Sequence, residues 1–181
     1  MELHTSRLLL RPLFQADYQF FSHLHQLPEV MRYVADLPSK EKIQQRFNER
    51  IGSWQKEKNS WLTLIMIEKS SAQPIGVTGF LSQWQPFQQA ELGFLIDPTF
   101  QGLGYGKEST LKIMDFAFNH CQYHKASATV TDGNIASSNL LTSLGFKLEG
   151  KLRDNYQING KWCNDLKYGM LKSEYLSQSN A

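Results

Sequence analysis

Three glycines at alternate positions near the middle of the chain constrain its fold more than any other segment. They lie in the stretch from Asp97 to Glu108, which reads Asp-Pro-Thr-Phe-Gln-Gly-Leu-Gly-Tyr-Gly-Lys-Glu between a predicted strand and a predicted helix. Glycine lacks a Cβ, so the backbone can turn there and bring several N–H groups to one ligand. The helix that follows adds unpaired donors and partial positive charge. The segment predicts a phosphate or pyrophosphate site, and the alternative is a tight turn that binds no ligand.

Two common nucleotide-binding motifs do not fit this segment. A Rossmann motif that starts at Gly102 would need its third glycine where Lys107 stands. A Walker loop that ends at Gly106-Lys107 would need glycine at Gln101 and serine or threonine at Glu108. Both nucleotide interpretations are therefore disfavoured.

Elsewhere, the hydrophobic pattern alternates between the period of a strand and that of a helix. Strands are predicted at Leu8 to Leu13, Trp61 to Glu68, Ile75 to Trp84, Ala90 to Ile96 and Lys125 to Thr131, with two more around an Asn159-Gly160 hairpin turn. Helices are predicted after Asp17, after Pro38-Ser39, from about Lys107 to Cys121 with Leu111, Met114 and Phe118 buried, and from Ile135 to Leu144, ended by Gly145. The stretches Lys69 to Gln73 and Ser177 to Ala181 are expected to be loose. The order predicts an α/β or α+β fold around a mixed sheet, with residues 1–181 in a single domain.

Composition excludes several classes of protein. The 181 residues include 19 Lys plus Arg and 17 Asp plus Glu, so a formal charge of +2 gives no broad surface for nucleic acid or membranes. A hydrophobic content of 41% argues against disorder, and no apolar run approaches the roughly 18 residues of a membrane span. The start has no signal-peptide core, two cysteines give no disulfide framework or CxxC pair, and five histidines show no metal spacing. We expect a cytoplasmic protein without metal, nucleic-acid or membrane partners.

Five blocks of the sequence resemble one known family. Gln101-x-x-Gly104-x-Gly106 resembles the Q/R-x-x-G-x-G/A motif of the GNAT acetyltransferase superfamily. The other blocks resemble its RimJ/RimL-type branch: Thr5 to Leu13, Ala90 to Phe94, Asn134-x-x-Ser137 with Leu144-Gly145-Phe146 and Glu149 to Asp154, and Asn159 to Trp162 with Asp165. The resemblance extends from Thr5 to about Leu171.

The resemblance implies the fold and the cofactor. It implies a mixed, mostly antiparallel sheet that splays between the family's strands 4 and 5, flanked by about four helices, and transfer from acetyl-CoA to an amine in a ternary complex. The residues implied to bind acetyl-CoA are Phe94, Leu95 and Ile96 for the pantetheine arm, Gln101, Gly102, Leu103, Gly104, Tyr105, Gly106 and Lys107 for the pyrophosphate, and Asn134, Ser137 and Asn139.

Glu91 and Ser137 are the candidate catalytic residues. Glu91 lies in an apolar strand that would raise its pKa and suit it as a general base, although ion pairing would instead make it a group that orients the ammonium. Asp154 and Tyr156 are reserve candidates. The tyrosine that many GNAT enzymes use as general acid is replaced by Leu141, so the Ser137 hydroxyl is the candidate donor to the thiolate, unless it serves only the helix terminus.

The acceptor stays open between two classes of amine. The branch implies a protein or peptide α-amine, which we prefer because the sequence lacks the strongly acidic patch of a polyamine site. The alternative, implied by related chains, is a small amine such as a polyamine, amino acid, antibiotic or nucleotide-sugar amine. A non-catalytic acyl-CoA sensor is the alternative from another class. Phe20, Phe21, Trp84 and Phe87 are expected either to line the acceptor cleft or to be core, and the chain to act as a monomer or homodimer.

Overall fold

A single eight-stranded sheet organises the molecule, and the computed structural model describes residues 1–179 of it. The strands are β1 (Leu3–His4), β2 (Leu8–Pro12), β3 (Trp61–Glu68), β4 (Gln73–Gln83), β5 (Gln89–Ile96), β6 (Lys125–Thr131), β7 (Lys147–Ile158) and β8 (Lys161–Leu171). The helices are α1 (Tyr18–Gln26), α2 (Pro28–Met31), α3 (Lys40–Arg50), α4 (Tyr105–Asp115), α5 (Ile135–Ser143) and α6 (Lys172–Ser179). The predicted α/β fold class is confirmed.

The sheet opens between its two parallel strands. Its order is β1-β2-β3-β4-β5-β6-β8-β7, and every neighbouring pair is antiparallel except β5 and β6. These two strands pair only from Gln89 to Glu91 on β5, opposite residues 125–127 on β6. Beyond Glu91 they diverge, so the backbone of residues 92–96 has no strand partner on its β6 side within residues 1–179. This is the predicted splay.

Strand alternation separates the environments on the two faces of the sheet. On β5, Leu92 and Ile96 belong to the larger core, which contains Met114 and Phe118 from the α4 side. Leu95 points the other way and packs on a second core formed with α1 and α3. Because side chains alternate along a strand, Glu91 and Gly93 share the face of Leu95. The splay therefore connects an α4/α5 side with an α1/α3 side.

Helix content exceeds the prediction of about four. The chain ends in α6, where the sequence predicted a loose tail from 177; residues 180 and 181 lie outside the described residues. Two contacts explain α6: Tyr175 stacks on Phe118 with ring centroids 5.0 Å apart, and Glu174 forms an ion pair with Lys147. Likewise α4 ends at Asp115 and continues as a π-helical segment, Phe116–His120.

Local turn chemistry follows the sequence at the hairpins and helix ends. Asn159 and Gly160 have φ angles of 49° and 72°, as a tight hairpin turn requires, and Gly145 ends α5 with φ 89°. The turn between β3 and β4, predicted to be loose, is instead held by Glu68, which accepts hydrogen bonds from the hydroxyls of Ser70 and Ser71. Leu111 was predicted to be buried with Met114, but it is 43% exposed.

Candidate active site

The glycine segment forms the junction between β5 and α4. After a short 3₁₀ turn at Pro98–Phe100, Gly102 and Gly104 adopt φ angles of 72° and 85°. The first bond of the helix runs from the Glu108 N–H to the Gly104 carbonyl at 3.1 Å. Helix geometry leaves the N–H groups before Glu108 without an intrahelical acceptor. The junction therefore presents a row of backbone donors, as an anion site requires.

The third glycine has a packing role. A Cβ on Gly106 would stand 3.0 Å from Leu140 Cδ1 and 3.3 Å from Ile96 Cδ1. Gly106 therefore lets α4 approach α5 closely. The Gln101 side chain does not point at a ligand either, since its Nε2 donates to the Ile96 carbonyl at 2.9 Å and closes the loop.

An N-terminal segment braces the glycine loop. Glu108 accepts hydrogen bonds from Thr5 Oγ1 at 2.5 Å, from Arg7 N at 2.9 Å and from Arg7 Nε at 2.7 Å. Arg7 also donates to the Leu103 carbonyl at 3.0 Å, and its guanidinium lies 4.3 Å from the centre of the Tyr105 ring. The Thr5-Ser6-Arg7 block thus holds the loop from outside.

A cavity of about 460 Å³ lies where β5 and β6 separate. Six of the candidate site residues line it: Glu91, Phe94, Leu95, Asn134, Ser137 and Tyr156. Ile96 lies beyond it at the buried end of β5, and Asn139 is exposed on α5. Residues 101–107 form the separate junction described above. This junction connects β5 to α4, and both of these elements contribute residues to the cavity.

Glu91 faces the cavity within a chain of hydrogen bonds. Its Oε1 accepts from Thr129 Oγ1 at 2.7 Å, and Thr129 Oγ1 in turn accepts from Lys167 Nζ at 2.6 Å. The geometry therefore holds the Glu91 carboxylate at the cavity, where a substrate ammonium could bind to it.

Two residues with hydroxyl groups, Ser137 and Thr110, line the α4/α5 side of the cavity. Asn134 caps α5 by accepting from the Ser137 N–H at 3.2 Å, so its Oδ1 serves the helix terminus. Ser137 lines the cavity one turn before Leu141, which is 2% exposed and also lines the cavity. Thr110, on α4, has a buried hydroxyl without a hydrogen-bond partner among residues 1–179. An unpaired buried hydroxyl is unfavourable unless a ligand satisfies it.

The two reserve candidates lie in different places. The Tyr156 hydroxyl contacts Thr131 Oγ1, which donates its own proton to the Tyr33 carbonyl at 2.6 Å, so Tyr156 must donate to Thr131. Asp154 is exposed and does not line the cavity, because the strand bends at its φ of 47°. The carboxylate that does line the cavity here is Asp165, 6% exposed and bonded to Asn155 Nδ2 at 2.7 Å.

The aromatic residues proposed for the acceptor cleft do not line the cavity. Phe21 is fully buried between α1 and α3, Trp84 packs on Tyr123, and Phe87 is 62% exposed. The aromatic residues that line the cavity are Tyr33, Trp61, Phe94 and Tyr156. The pattern of aromatics along the chain did not reveal which face each would occupy.

Sequence analysis also missed the polar residues from α1 and α3. His25, Arg46 and Arg50 all line the cavity. The one sequence feature that could have indicated a site here is the four-residue spacing of the two arginines, which places them on the same face of a helix. On a strongly polar helix that spacing is also typical of a solvated face.

The described residues contain neither a metal-ligand cluster nor a membrane-spanning helix. Within residues 1–179, His, Cys, Asp and Glu side chains form no group of three or more that could hold a metal ion. No helix of the described chain has the length and apolar character needed to cross a membrane.

Comparison with known proteins identifies relatives over nearly the whole chain. A family model described as an acetyltransferase (GNAT) domain matches residues 7–147. An uncharacterized N-acetyltransferase, p20, of Bacillus licheniformis is 29% identical over 178 residues, which are 96% of this chain and 97% of that protein. The spermidine N(1)-acetyltransferase of Vibrio cholerae is 25% identical over 177 residues, covering 97% and 99%.

Solved structures share the fold. A GNAT-family acetyltransferase from Bacillus anthracis superposes with a TM-score of 0.82 at 19% identity, covering 96% of this chain and 100% of that one. Spermidine N-acetyltransferase from Vibrio cholerae, in complex with CoA and spermine, gives a TM-score of 0.83 at 24% identity, covering 95% and 99%.

Proposed function

The chain belongs to the acetyltransferase (GNAT) family, and from that premise we propose that its splayed cavity holds a primary amine beside the acetyl group of acetyl-CoA. The protein is an N-acetyltransferase with acetyl-CoA as co-substrate. The observation that carries the proposal is one cavity that contains the Glu91 carboxylate, the Ser137 hydroxyl and the unpaired edge of β5. Its volume of about 460 Å³ falls in the usual range for ligand sites.

The residues present fit acetyl-CoA. The backbone donors of residues 101–107 suit its pyrophosphate, because glycine φ angles at 102 and 104 turn them to one side of the helix start. The open edge of β5 at Phe94 to Ile96 suits the amides of the pantetheine arm, which can pair with it as an added strand would. The orphaned Thr110 hydroxyl lies on the same side of the sheet as α5 and offers a further polar contact. Asn139 remains a proposed outer contact.

Glu91 prepares the amine for attack. Acetyl-CoA supplies a thioester, so the amine nitrogen forms a bond to the acetyl carbon while the carbon–sulfur bond breaks. The ammonium first loses a proton, directly or through water, and Glu91 is the carboxylate placed to attract it and to accept that proton. An N–H of β5 near Phe94 stabilises the oxyanion, a contribution of about 3 kcal/mol for one such donor.

Ser137 assists the leaving thiolate. Its hydroxyl faces the cavity, while Asn134 satisfies the helix terminus through the Ser137 N–H. The Leu141 side chain, at the position where many GNAT enzymes have a tyrosine, supplies no proton. A thiol with a reference pKa of about 8.5 needs little help to leave near neutral pH, so a modest contribution from Ser137 suffices.

The acceptor is either a protein or peptide α-amine or a small amine. The first follows from the RimJ/RimL-type blocks of the sequence. The second is supported by the Vibrio cholerae relative, described as a spermidine N(1)-acetyltransferase. A chain that binds acetyl-CoA without turnover would be a sensor instead.

Release of free thiol from acetyl-CoA, measured with a panel of amines, tests the function. We expect turnover with at least one amine, and Glu91→Gln should lower kcat by roughly 100-fold or more while the KM for acetyl-CoA stays within twofold. Glu57→Gln is the matched control, since Glu57 is exposed and lies outside the cavity. Tight binding of acetyl-CoA without thiol release for any amine would identify a sensor, and a fully active Glu91→Gln variant would refute the role of Glu91.

A further inference from the structure

Two arginines in the cavity lack acidic partners. Arg46 and Arg50 stand four residues apart on α3, and both line the cavity from the α1/α3 side. Among residues 1–179, neither guanidinium has a carboxylate oxygen within 4.0 Å or donates a hydrogen bond. By contrast, Arg7 and Arg11 each pair with a carboxylate at 2.7 Å. The cavity therefore has a positively charged wall whose guanidinium groups form no ion pair within residues 1–179.

The position of Arg50 is fixed by the sheet beneath it. Its guanidinium carbon lies 4.9 Å from the centre of the Trp61 ring. The Trp61 indole in turn lies over Gly93 of β5, with Cη2 only 3.0 Å from where a Cβ of residue 93 would stand. The absence of a side chain at Gly93 thus makes room for Trp61, and Trp61 supports the arginine through a cation–π contact.

The electrostatics of this wall favour an anion. Burial and, to a smaller extent, the charge of Arg46 lower the pKa of Arg50 to about 10, against the opposing effect of the Glu49 charge. His25, 3% exposed in the same wall, donates from Nδ1 to the Phe21 carbonyl at 2.8 Å and is neutral. Burial lowers the pKa of His25 to about 4, and the charges of Arg50 and Arg46 act in the same direction. An uncompensated charge of this kind is costly, and an anionic ligand would relieve that cost.

Carboxylates line the same cavity. Glu91 lies two residues before Gly93 on the same strand face, which places their Cα atoms roughly 7 Å apart. Asp165 also lines the cavity. The cavity therefore contains the Glu91 carboxylate beside the splay as well as the arginine pair, with Arg50 above Trp61.

We infer that the acceptor is a primary amine that also carries an anionic group, a carboxylate or phosphate, with the ammonium at Glu91 and the anion at Arg46 and Arg50. This inference rests on the proposed function and specifies its substrate class. A planar guanidinium presents paired donors that match carboxylate and phosphate oxygens. A polyamine would instead place a second ammonium against two arginines. The inferred acceptor thus differs in charge from the spermidine named for the Vibrio cholerae relative.

The chemistry of transfer is compatible with this charge pattern. The amine nitrogen forms the amide bond, the thioester carbon–sulfur bond breaks, and the ammonium proton leaves through Glu91. The product keeps its anionic group and loses its positive charge. Its attraction to Glu91 is lost on acetylation while its contact with the arginines remains.

The test compares amines that differ in charge. The panel contains a dicarboxylic amino acid, its diamide, phosphoethanolamine, spermidine, and a C-terminally amidated peptide that begins with aspartate. Turnover of the free amino acid alone, of phosphoethanolamine alone or of the acidic peptide alone identifies the source of the anion. We expect kcat/KM for at least one anionic amine to exceed that of the diamide and of spermidine by about 100-fold.

Variants locate the effect in the arginine wall. Arg46→Gln with Arg50→Gln should lower kcat/KM for the anionic amine by roughly 100-fold and leave the value for the diamide within about threefold, since charged hydrogen bonds are lost only for the anion. The control is Lys40→Gln with Lys42→Gln, which removes two charges from the exposed start of the same helix. Thermal unfolding and the KM for acetyl-CoA check that each double variant is folded.

Binding distinguishes failure of this inference from failure of the proposed function. Calorimetry with the dicarboxylic amino acid, phosphoethanolamine and the acidic peptide, in the presence of CoA, should show binding of at least one to the wild type and tenfold or weaker binding to the arginine double variant. Preferred turnover of spermidine or the diamide would overturn the inference and keep the acetyltransferase function. Anion binding without turnover of any amine would keep the arginine site and overturn the function. Binding of no anion would overturn the inference whatever the turnover.

Discussion

We expect Glu108 to contribute both to the stability of the protein and to the conformation of the glycine loop. The substitution Glu108→Gln tests both contributions. The carboxylate is 15% exposed and accepts hydrogen bonds from Thr5, Ser6 and Arg7. A glutamine keeps one oxygen for the donors at Oε1 but places an amide N–H₂ against Arg7 Nε, where a donor then faces a donor.

The magnitude follows from the pKa. Burial raises the pKa of Glu108, but the hydrogen bonds from Thr5 and Arg7 outweigh it and bring the pKa from 4.5 to about 2. That difference corresponds to about 3 kcal/mol in full. Because the Arg7 side chain is 44% exposed, solvent screening reduces the expected contribution to about 1–2 kcal/mol. For a chain of this size the variant should unfold about 3–6 °C lower.

The pH dependence has a definite sign. A carboxylate with a depressed folded-state pKa stabilises the protein above its unfolded pKa, and that stabilisation is lost as pH falls through the folded value. The difference between wild type and Glu108→Gln should therefore be full above about pH 4.5 and vanish toward about pH 2. Urea unfolding at several pH values measures it, with Glu57→Gln as the control.

The same variant should affect the co-substrate. Arg7, released from Glu108, no longer holds the Leu103 carbonyl and the Tyr105 ring in place, so the KM for acetyl-CoA should rise several-fold while kcat changes little. Equal stability of Glu108→Gln and Glu57→Gln at pH 7, together with an unchanged KM, would refute the brace.

Two further predictions concern polar groups in the cavity wall. Thr110→Val removes a buried hydroxyl without a hydrogen-bond partner, so the free energy of unfolding should stay unchanged or rise by up to about 1 kcal/mol. The KM for acetyl-CoA should nevertheless rise. A loss of stability in urea unfolding would show that the hydroxyl is satisfied without ligand. His25 has a depressed pKa, so unfolding free energy should fall by about 1–3 kcal/mol as pH drops from 6.5 to about 4, and His25→Gln should show a smaller slope in the same titration.

Local sequence patterns predicted most of the strands, but they did not predict the helix near the C-terminal end of the described residues. The strand Trp61 to Glu68 is rich in β-branched and apolar residues, and its bounds match β3. The tail from Ser177 was expected to be loose because its residues are small and polar. Its helix depends on Tyr175 meeting Phe118, a contact between residues 57 positions apart that no local pattern contains.

The glycine loop could also be recognised from local sequence, whereas the distant residues that hold it in place could not. Strand-to-helix position and glycine spacing are properties of a few consecutive residues. The contact of Glu108 with Thr5 joins residues 103 positions apart, and the family resemblance marked both blocks without indicating that they touch. Gly106 was assigned to the ligand, but the Leu140 side chain also demands a glycine there.

The acceptor wall is the part of the site that sequence analysis could not find, and its charges explain why. A net charge of +2 averages over the chain and hides a cavity lined by Glu91 and Asp165 as well as by Arg46 and Arg50. The arginines of α3 follow a spacing that solvated helices also show. Their assignment to the site therefore depends on Trp61, which contacts Arg50, and on Gly93, which lies beneath Trp61. Gly93 belongs to the same strand face as Glu91, so one strand both places the carboxylate at the splay and makes room for the indole that supports Arg50. The spacing between the two charged ends is thus set by the rigid sheet, and a ligand that satisfies both must carry its amine and its anion at a fixed separation.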